Sequence, residues 1–160
     1  MPGRRTALHA AGLALALLLA GKLATAQELT GDVDVIDAST LKIGGVEVRL
    51  HGIAAPAPGD HCEFRERTID CGRVATTALL DLTAGARVRC TLRDAAGTPP
   101  AATCRADGYD LSEGMIYTGW ARPTAAAPAR YRSIEQDAQA RRRGLWQGQF
   151  PSAVNVAADG

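Results

Sequence analysis

The sequence predicts one α+β domain, mainly β, built from five strands and three helices. The prediction depends on short runs in which apolar and polar residues alternate, on segments in which apolar residues recur at helical spacing, and on their order along the chain. The strand-like runs are 33–37, 40–43, 46–53, 87–92 and 101–106. One helical segment separates the third run from the fourth, and two follow the fifth. This order predicts a sheet against which the helices pack.

The second and third runs form the clearest hairpin in the sequence. Gly44 and Gly45 lie between them and match a two-residue turn. The third run places apolar residues on one face (Val46, Val48, Leu50) and polar residues on the other (Glu47, Arg49, His51).

Each helical segment has a recognisable beginning or end. The first follows Cys71 and ends at Gly85. Asp110 is expected to cap a short second helix over 111–117. The third is expected over 131–143, opened by Ser133-x-Glu135 and ended by Gly144, and the polar segment 59–70 is expected to be a loop.

The first 26 residues resemble an export signal rather than part of the domain. Arg4 and Arg5 precede an apolar run at 10–20, which is too short to span a bilayer, and Ala24-Thr25-Ala26 matches a cleavage site before Gln27. An uncleaved membrane anchor is the alternative. The expected organisation is a signal peptide at 1–26 and a single domain at 27–160, exported to the periplasm or secreted, and monomeric without membrane association after cleavage.

The charge of the expected mature chain argues against strong nucleic-acid binding. The leader carries three of the chain's 18 basic residues (Arg4, Arg5 and Lys22) and none of its 17 acidic ones, so the mature chain has 15 basic residues and a formal charge of −2. Proteins that bind nucleic acid by neutralising phosphates are usually basic. A local basic groove remains compatible with this balance.

Four cysteines in an exported chain predict two disulfides. Cys62 and Cys71 flank one predicted loop, and Cys90 and Cys104 lie on two runs that are expected to pair. Of the three possible pairings, Cys62–Cys71 and Cys90–Cys104 is therefore the local solution. A zinc site is the alternative, but no two cysteines have the two-to-four-residue spacing typical of zinc ligands.

Several segments, in order, resemble the staphylococcal-nuclease (thermonuclease) family. The opening match runs through Val35-Ile-Asp-Ala-Ser-Thr-Leu41 and Val48-Arg-Leu-His-Gly-Ile-Ala-Ala-Pro-Ala57. Further matches are Cys71-Gly-Arg-Val-Ala, Asp107-Gly-Tyr-Asp-Leu, Gly119-Trp-Ala, Tyr131 with Glu135 and Ala138, and Arg143-Gly-Leu-Trp. The resemblance covers 31–151. It implies a five-stranded Greek-key barrel of the OB type with three helices, and its exported branch suggests the same two disulfides.

The resemblance also implies where catalytic residues would lie, and most of them are replaced. Family nucleases are described as holding Ca²⁺ with two aspartates, activating water with a glutamate, and stabilising charge on the phosphate with two arginines. The aspartates fall on Ser39 and Ala54, the glutamate on Ala57, and the second arginine at or near Thr98. Only Arg49 is kept. We therefore expect no Ca²⁺ site and no other cofactor.

Three other polar residues are candidates for the site. Asp37 matches an outer acid of the motif, and Arg49 is expected to pair with it or to contact an anionic ligand. Asp34 is a further acid for an unfamiliar catalytic arrangement. His51 is the candidate general base near Arg49, although a structural role is the alternative.

Two arginine groups admit two interpretations each. Arg87 and Arg89 either line a groove or lie on an exposed strand face. The run Arg141-Arg142-Arg143 either complements the negative end of the last helix or forms a binding patch.

Two function classes follow. The first is an exported, non-catalytic nuclease homologue that binds an oligonucleotide, an oligosaccharide or a protein on the barrel face. The second is a Ca²⁺-dependent phosphodiesterase or endonuclease with low or altered-site activity.

Overall fold

The computed structural model describes residues 27–159, and the expected signal peptide lies outside them. The described residues form eleven strands, four α-helices and one 3₁₀ helix. The strands are β1 Glu28–Thr30, β2 Val33–Val35, β3 Thr40–Ile43, β4 Val46–Leu50, β5 Ile53–Ala54, β6 His61–Phe64, β7 Arg67–Asp70, β8 Val88–Asp94, β9 Ala101–Ala106, β10 Tyr109–Asp110 and β11 Arg122–Pro123. The helices are α1 Cys71–Thr83, α2 Leu111–Tyr117, α3 Arg130–Ala140, the 3₁₀ helix Gly144–Gln147 and α4 Ser152–Asp159.

The main sheet has the strand order β1-β8-β9-β4-β3-β2, with β10 added beside β9. Its neighbours pair antiparallel except β4 and β9, which are parallel, with Arg49 opposite Ala101. The two ends of this path, β1 and β2, are consecutive along the chain and are separated only by Gly31 and Asp32. Two small pairs, β5 with β11 and β6 with β7, lie outside the main sheet. The architecture is thus mixed α+β with a mostly sheet core.

The core forms where the inward faces of the sheet meet α1 and α2. Leu41, Ile43 and Val48 are fully buried on β3 and β4, as the alternation of the sequence predicts. Leu79 of α1 and Met115 of α2 are equally buried in the same cluster. A second, smaller cluster lies under the C-terminal segment and contains Cys62, Cys71, Leu145, Phe150 and Val154.

Both predicted disulfides are present. Cys90 and Cys104 lie directly opposite each other on β8 and β9, with their Cα atoms 4.0 Å apart. Cys62 joins β6 to Cys71 at the first residue of α1, with a Cα–Cα distance of 5.7 Å. Two disulfides in one small chain are typical of an oxidising, exported environment. Within residues 27–159, no helix is long and apolar enough to cross a membrane.

Three predictions about strands were wrong, the first being their number, since the described residues contain eleven strands rather than five. The segment 59–70, expected to be a loop, contains the antiparallel pair β6–β7. Its tight turn uses Arg65 and Glu66 with positive φ angles of 48° and 61°, and neither residue type signals such a turn. The third predicted strand, 46–53, ends at Leu50, because Gly52 turns the chain with a φ of 78° before β5 begins.

The predicted number of helices was also wrong, because the described residues contain four α-helices rather than three. The additional helix is α4, which buries Val154 and Ala158 one turn apart. The third predicted helix, 131–143, is α3 and ends at Ala140. Ser133 and Glu135 do not open it, since its first residue is Arg130 and no side chain caps it.

Candidate functional site

Three of the positions that the thermonuclease resemblance singles out lie together at one end of β3 and β4, which we call the Arg49 edge. Thr40 of β3 lies opposite Arg49 of β4, and the Leu50 N–H donates to the Ser39 carbonyl oxygen at 2.7 Å. On the other side of β4, the Arg49 N–H donates to the Pro100 carbonyl oxygen at 2.9 Å, which places the loop containing Thr98 beside it. The fold therefore brings Ser39, Arg49 and the Thr98 loop together.

The Asp37 carboxylate is used locally. Its Oδ1 accepts the Ser39 N–H at 2.7 Å and the Ser39 hydroxyl at 3.1 Å, which closes the turn between β2 and β3. The Arg49 side chain is exposed and makes no hydrogen bond or ion pair within residues 27–159. The expected pairing of Arg49 with Asp37 is thus absent there, and the guanidinium remains open to a ligand.

The loop after β4 is organised by its backbone and by one acid. The Ala57 N–H donates to Asp60 Oδ2 at 2.8 Å, and the Asp60 N–H donates to the Ala57 carbonyl oxygen at 3.0 Å. Gly72 lies against the same carbonyl, where an added Cβ would collide. Ala54 belongs to β5 and lies opposite Arg122 of β11. Neither alanine offers an oxygen side chain.

His51 is held by its backbone just beyond β4. Its N–H donates to the Ala102 carbonyl oxygen at 2.8 Å, and its own carbonyl oxygen accepts the Ser112 hydroxyl at 3.1 Å. Its ring has no hydrogen-bond partner within the described residues. His51 therefore links β4 to β9 and α2 through its main chain, while its ring remains available.

The residues at this edge do not fit a Ca²⁺ ion. Ca²⁺ takes six to eight oxygen ligands, usually with carboxylates among them. The side chains at 54 and 57 end in methyl groups, and the Asp37 carboxylate already accepts two bonds from Ser39. No three His, Cys, Asp or Glu residues between 27 and 159 come close enough to form a metal site.

A polar network that the sequence only partly predicts lies between α2 and α3. Asp110 is 7% exposed and caps α2, since its Oδ1 accepts the N–H groups of Ser112 and Glu113 at 3.0 and 3.3 Å. The Tyr131 hydroxyl donates to the same carboxylate at 3.0 Å, and Arg130 forms an ion pair with it at 3.2 Å. Burial, followed by the Asp110 charge, raises the pKa of Tyr131 to about 12. The cap was predicted from the sequence, but the link to α3 was not.

The basic run at the end of α3 is held to that helix by Asp137. Arg141 and Arg143 both donate to its carboxylate, at 2.7 and 2.8 Å. Their hydrogen bonds lower the pKa of Asp137, that of Arg141 being the largest contribution. These two arginines therefore fasten the end of α3. Arg141 and Arg142 are exposed, and Arg143 is half-buried.

Comparison with known proteins gives one clear relationship. The chain matches no model of a protein family. It is 33% identical over 141 residues to the succinoglycan biosynthesis protein ExoI of Rhizobium meliloti (strain 1021), and the match covers 84% of this chain and 73% of the relative. The chain belongs to the ExoI family. Because the match to ExoI covers 84% of this chain, the relationship extends over most of the domain and is not limited to a single motif.

Proposed function

We propose that this ExoI-family protein is an exported, non-catalytic binding module on a thermonuclease-like scaffold, and that it serves glycan biosynthesis. The observation that carries the proposal is the pair of alanines, Ala54 and Ala57, on the loop where the family resemblance requires acids. The nearest carboxylate in that loop, Asp60, is bonded to the Ala57 N–H at 2.8 Å. The loop therefore keeps a backbone ordered by hydrogen bonds, but it lacks the carboxylate side chains that would bind Ca²⁺ and activate water.

The strand order supports an OB-type barrel as the scaffold. An OB barrel is a five-stranded Greek-key arrangement in which the first strand pairs at both ends of the sheet. Here β1 and β2 occupy the two ends of the path and are separated by two residues, so they behave as two parts of one first strand. The single parallel pair, β4 with β9, is consistent with the same topology.

The glycan part of the proposal is supported by the relative's name, which describes a protein of succinoglycan biosynthesis. A shared fold alone does not determine a ligand, but OB-type domains bind oligosaccharides as well as oligonucleotides. The calculated charge of −2 for 27–160 argues against a ligand that is held mainly by neutralisation of its phosphates.

A nuclease assay tests the non-catalytic part. We expect the exported protein to leave DNA and RNA uncut during long incubation with Ca²⁺, because a nuclease that lacks its metal ligands loses orders of magnitude in rate. Calorimetry should detect no specific Ca²⁺ binding. A catalytically intact thermonuclease serves as the positive control.

The second candidate is a phosphodiesterase that uses Arg49 with Asp34, Asp37 and His51. The observation that favours it is the exposed Arg49 guanidinium, which has no partner within residues 27–159, two positions from the unbonded His51 ring. Arg49→Gln and His51→Ala distinguish the two functions. Cleavage that both substitutions abolish would refute the binding-module proposal and establish the phosphodiesterase.

A further inference from the structure

A groove of about 630 Å³ lies on the outer face of β8 and β9. It is lined by Glu28, Arg87, Arg89, Thr91, Thr103, Arg105, Asp107 and Gly108. We propose that this groove binds an acidic glycan through carboxylate groups on its sugars. The inference names the ligand class of the proposed binding module and therefore rests on that function.

The two strands bring like charges together at the middle of the groove. Arg89 of β8 and Arg105 of β9 lie directly opposite each other. Like charges in this arrangement destabilise a sheet, and an anion placed between them is attracted by both guanidinium groups. Glu28 forms an ion pair with Arg89 at 3.6 Å, and both side chains of that pair are more than half exposed.

Two of the three guanidinium groups in the groove are open to a ligand. The side chains of Arg87 and Arg105 form no hydrogen bond or ion pair within the described chain. The nearby Asp107 accepts the backbone N–H of Arg87 at 3.1 Å and so helps to shape the groove's end. A planar guanidinium matches a carboxylate with two parallel hydrogen bonds, which is the chemistry that open arginines offer here.

The disulfide underneath holds these side chains in register. Cys90 and Cys104 point inward and are fully buried, so their neighbours in both strands point outward. The next outward pair is Thr91 opposite Thr103, about 7 Å along the strands from the arginine pair. Beyond it, Arg93 Nε donates to the Thr103 hydroxyl at 2.9 Å. The face therefore alternates cationic and hydroxyl-bearing positions.

This alternation suits a carboxylated glycan better than a nucleic acid. Threonine hydroxyls can exchange hydrogen bonds with sugar hydroxyls, whereas single-stranded nucleic acids are held largely by stacking on aromatic side chains. None of the residues that line the groove is aromatic. Guanidinium groups also bind phosphate, so the experiment must compare the two ligands directly.

The test measures binding of an oligogalacturonate of about ten sugars to the exported protein by calorimetry at low salt. The same oligosaccharide with its carboxylates methyl-esterified is the ligand control. We expect the acidic form alone to bind, and the double variant Arg89→Gln/Arg105→Gln to bind at least about tenfold more weakly. Arg67→Gln is the matched protein control, because Arg67 is an exposed strand arginine outside the groove, and it should bind like the unmodified protein.

Three results would overturn the inference: equal binding of the methyl ester, equal weakening by Arg67→Gln, or tighter binding of a single-stranded oligonucleotide than of the oligogalacturonate at the same salt. Thermal melting checks that the double variant is folded, and removal of the opposed charges should not lower its Tm. The nuclease assay on the same preparation is independent. If the unmodified protein neither binds the oligogalacturonate nor cuts nucleic acid, only the proposed ligand class is refuted. If it cuts nucleic acid, the non-catalytic function is refuted.

Discussion

Charged side chains join separate segments at the junction between α2 and α3, but they do not do so at the Arg49 edge. Asp110 is buried and accepts bonds from α2 and from Tyr131 of α3. Asp37 is half buried and accepts bonds only from Ser39, two positions away. Arg49 has no side-chain partner in the described residues. The first group joins distant segments, and the second either closes its own turn or faces solvent.

This contrast separates structural polar residues from those available to a ligand. A buried carboxylate is tolerated only when several donors satisfy it, so its loss disturbs every segment it joins. An exposed cation without a partner contributes little to stability. The four predictions below test that contrast, in order of decreasing effect.

Asp110→Ala should destabilise the fold by roughly 3 kcal/mol, because it removes the α2 cap and leaves the buried Tyr131 hydroxyl without its acceptor. Urea unfolding measures the change. Asp110→Asn is the matched control and should lose less, since an amide oxygen can still cap the helix. A change below about 0.5 kcal/mol for the alanine variant would contradict a structural role for the network.

The stability of the fold should decrease between about pH 10 and about pH 12. The folded-state pKa of Tyr131, about 12, is raised above its ordinary value of 10.0, so the folded protein retains a proton that the unfolded chain has lost. The contribution is complete below pH 10 and is lost as the pH rises through 12, in total roughly 2–3 kcal/mol. Urea unfolding of Tyr131→Phe across this range should show a smaller decrease, and an identical decrease in both proteins would exclude Tyr131 as its source.

Asp37→Ala should cost about 1 kcal/mol, because only the turn between β2 and β3 loses its local hydrogen bonds. The measurement is again urea unfolding, with Asp37→Asn as the variant that keeps an acceptor. A loss as large as that of Asp110→Ala would show that the Arg49 edge is also a structural junction.

Arg49→Gln should change the free energy of unfolding by less than about 0.5 kcal/mol, since the side chain is exposed and has no partner between 27 and 159. The Tm from thermal melting and the free energy of unfolding from urea titration should both match those of the unmodified protein. A clear destabilisation would show that Arg49 makes a structural contact, and Arg49 would then no longer count as a residue available to a ligand.

The parts of the fold that were predicted correctly depend on local sequence. The Gly44-Gly45 turn has φ angles of 55° and 85°, which glycine adopts without strain, and Asp110 caps α2 as its position suggests. The Cys90–Cys104 pair followed from the two runs that pair as β8 and β9. Strand alternation likewise placed Val48 and Leu50 on the buried face of β4, although Val46, predicted on the same face, is 40% exposed.

The parts that were missed depend on contacts between distant residues. The β6–β7 pair has few apolar residues and pairs mainly through its backbone, so polarity alone suggested a loop. The α4 helix is stabilised by packing of Val154 and Ala158 rather than by a cap. At the candidate groove, Arg87 and Arg89 were noticed, but Arg105 and Glu28 come from other strands and only the register joins them. The predicted Cys90–Cys104 bridge already implied the register of β8 against β9, whereas no strand was predicted at Glu28 and its pairing with β8 had no local signal.

The position of β1 also limits the order in which an exported chain can fold. Leu29 pairs with Cys90, so β1 must wait for a partner strand that lies sixty-one residues later in the chain. The Leu92 N–H then donates to the Gln27 carbonyl oxygen at 3.1 Å, which brings the very start of the described chain into the sheet. The Cys90–Cys104 disulfide, whose formation needs an external two-electron oxidant, follows later still, since Cys104 lies after β8 in the chain. β1 therefore completes its pairing only after β8 is available, and a slow folding step is expected where strand pairing spans so much of a chain.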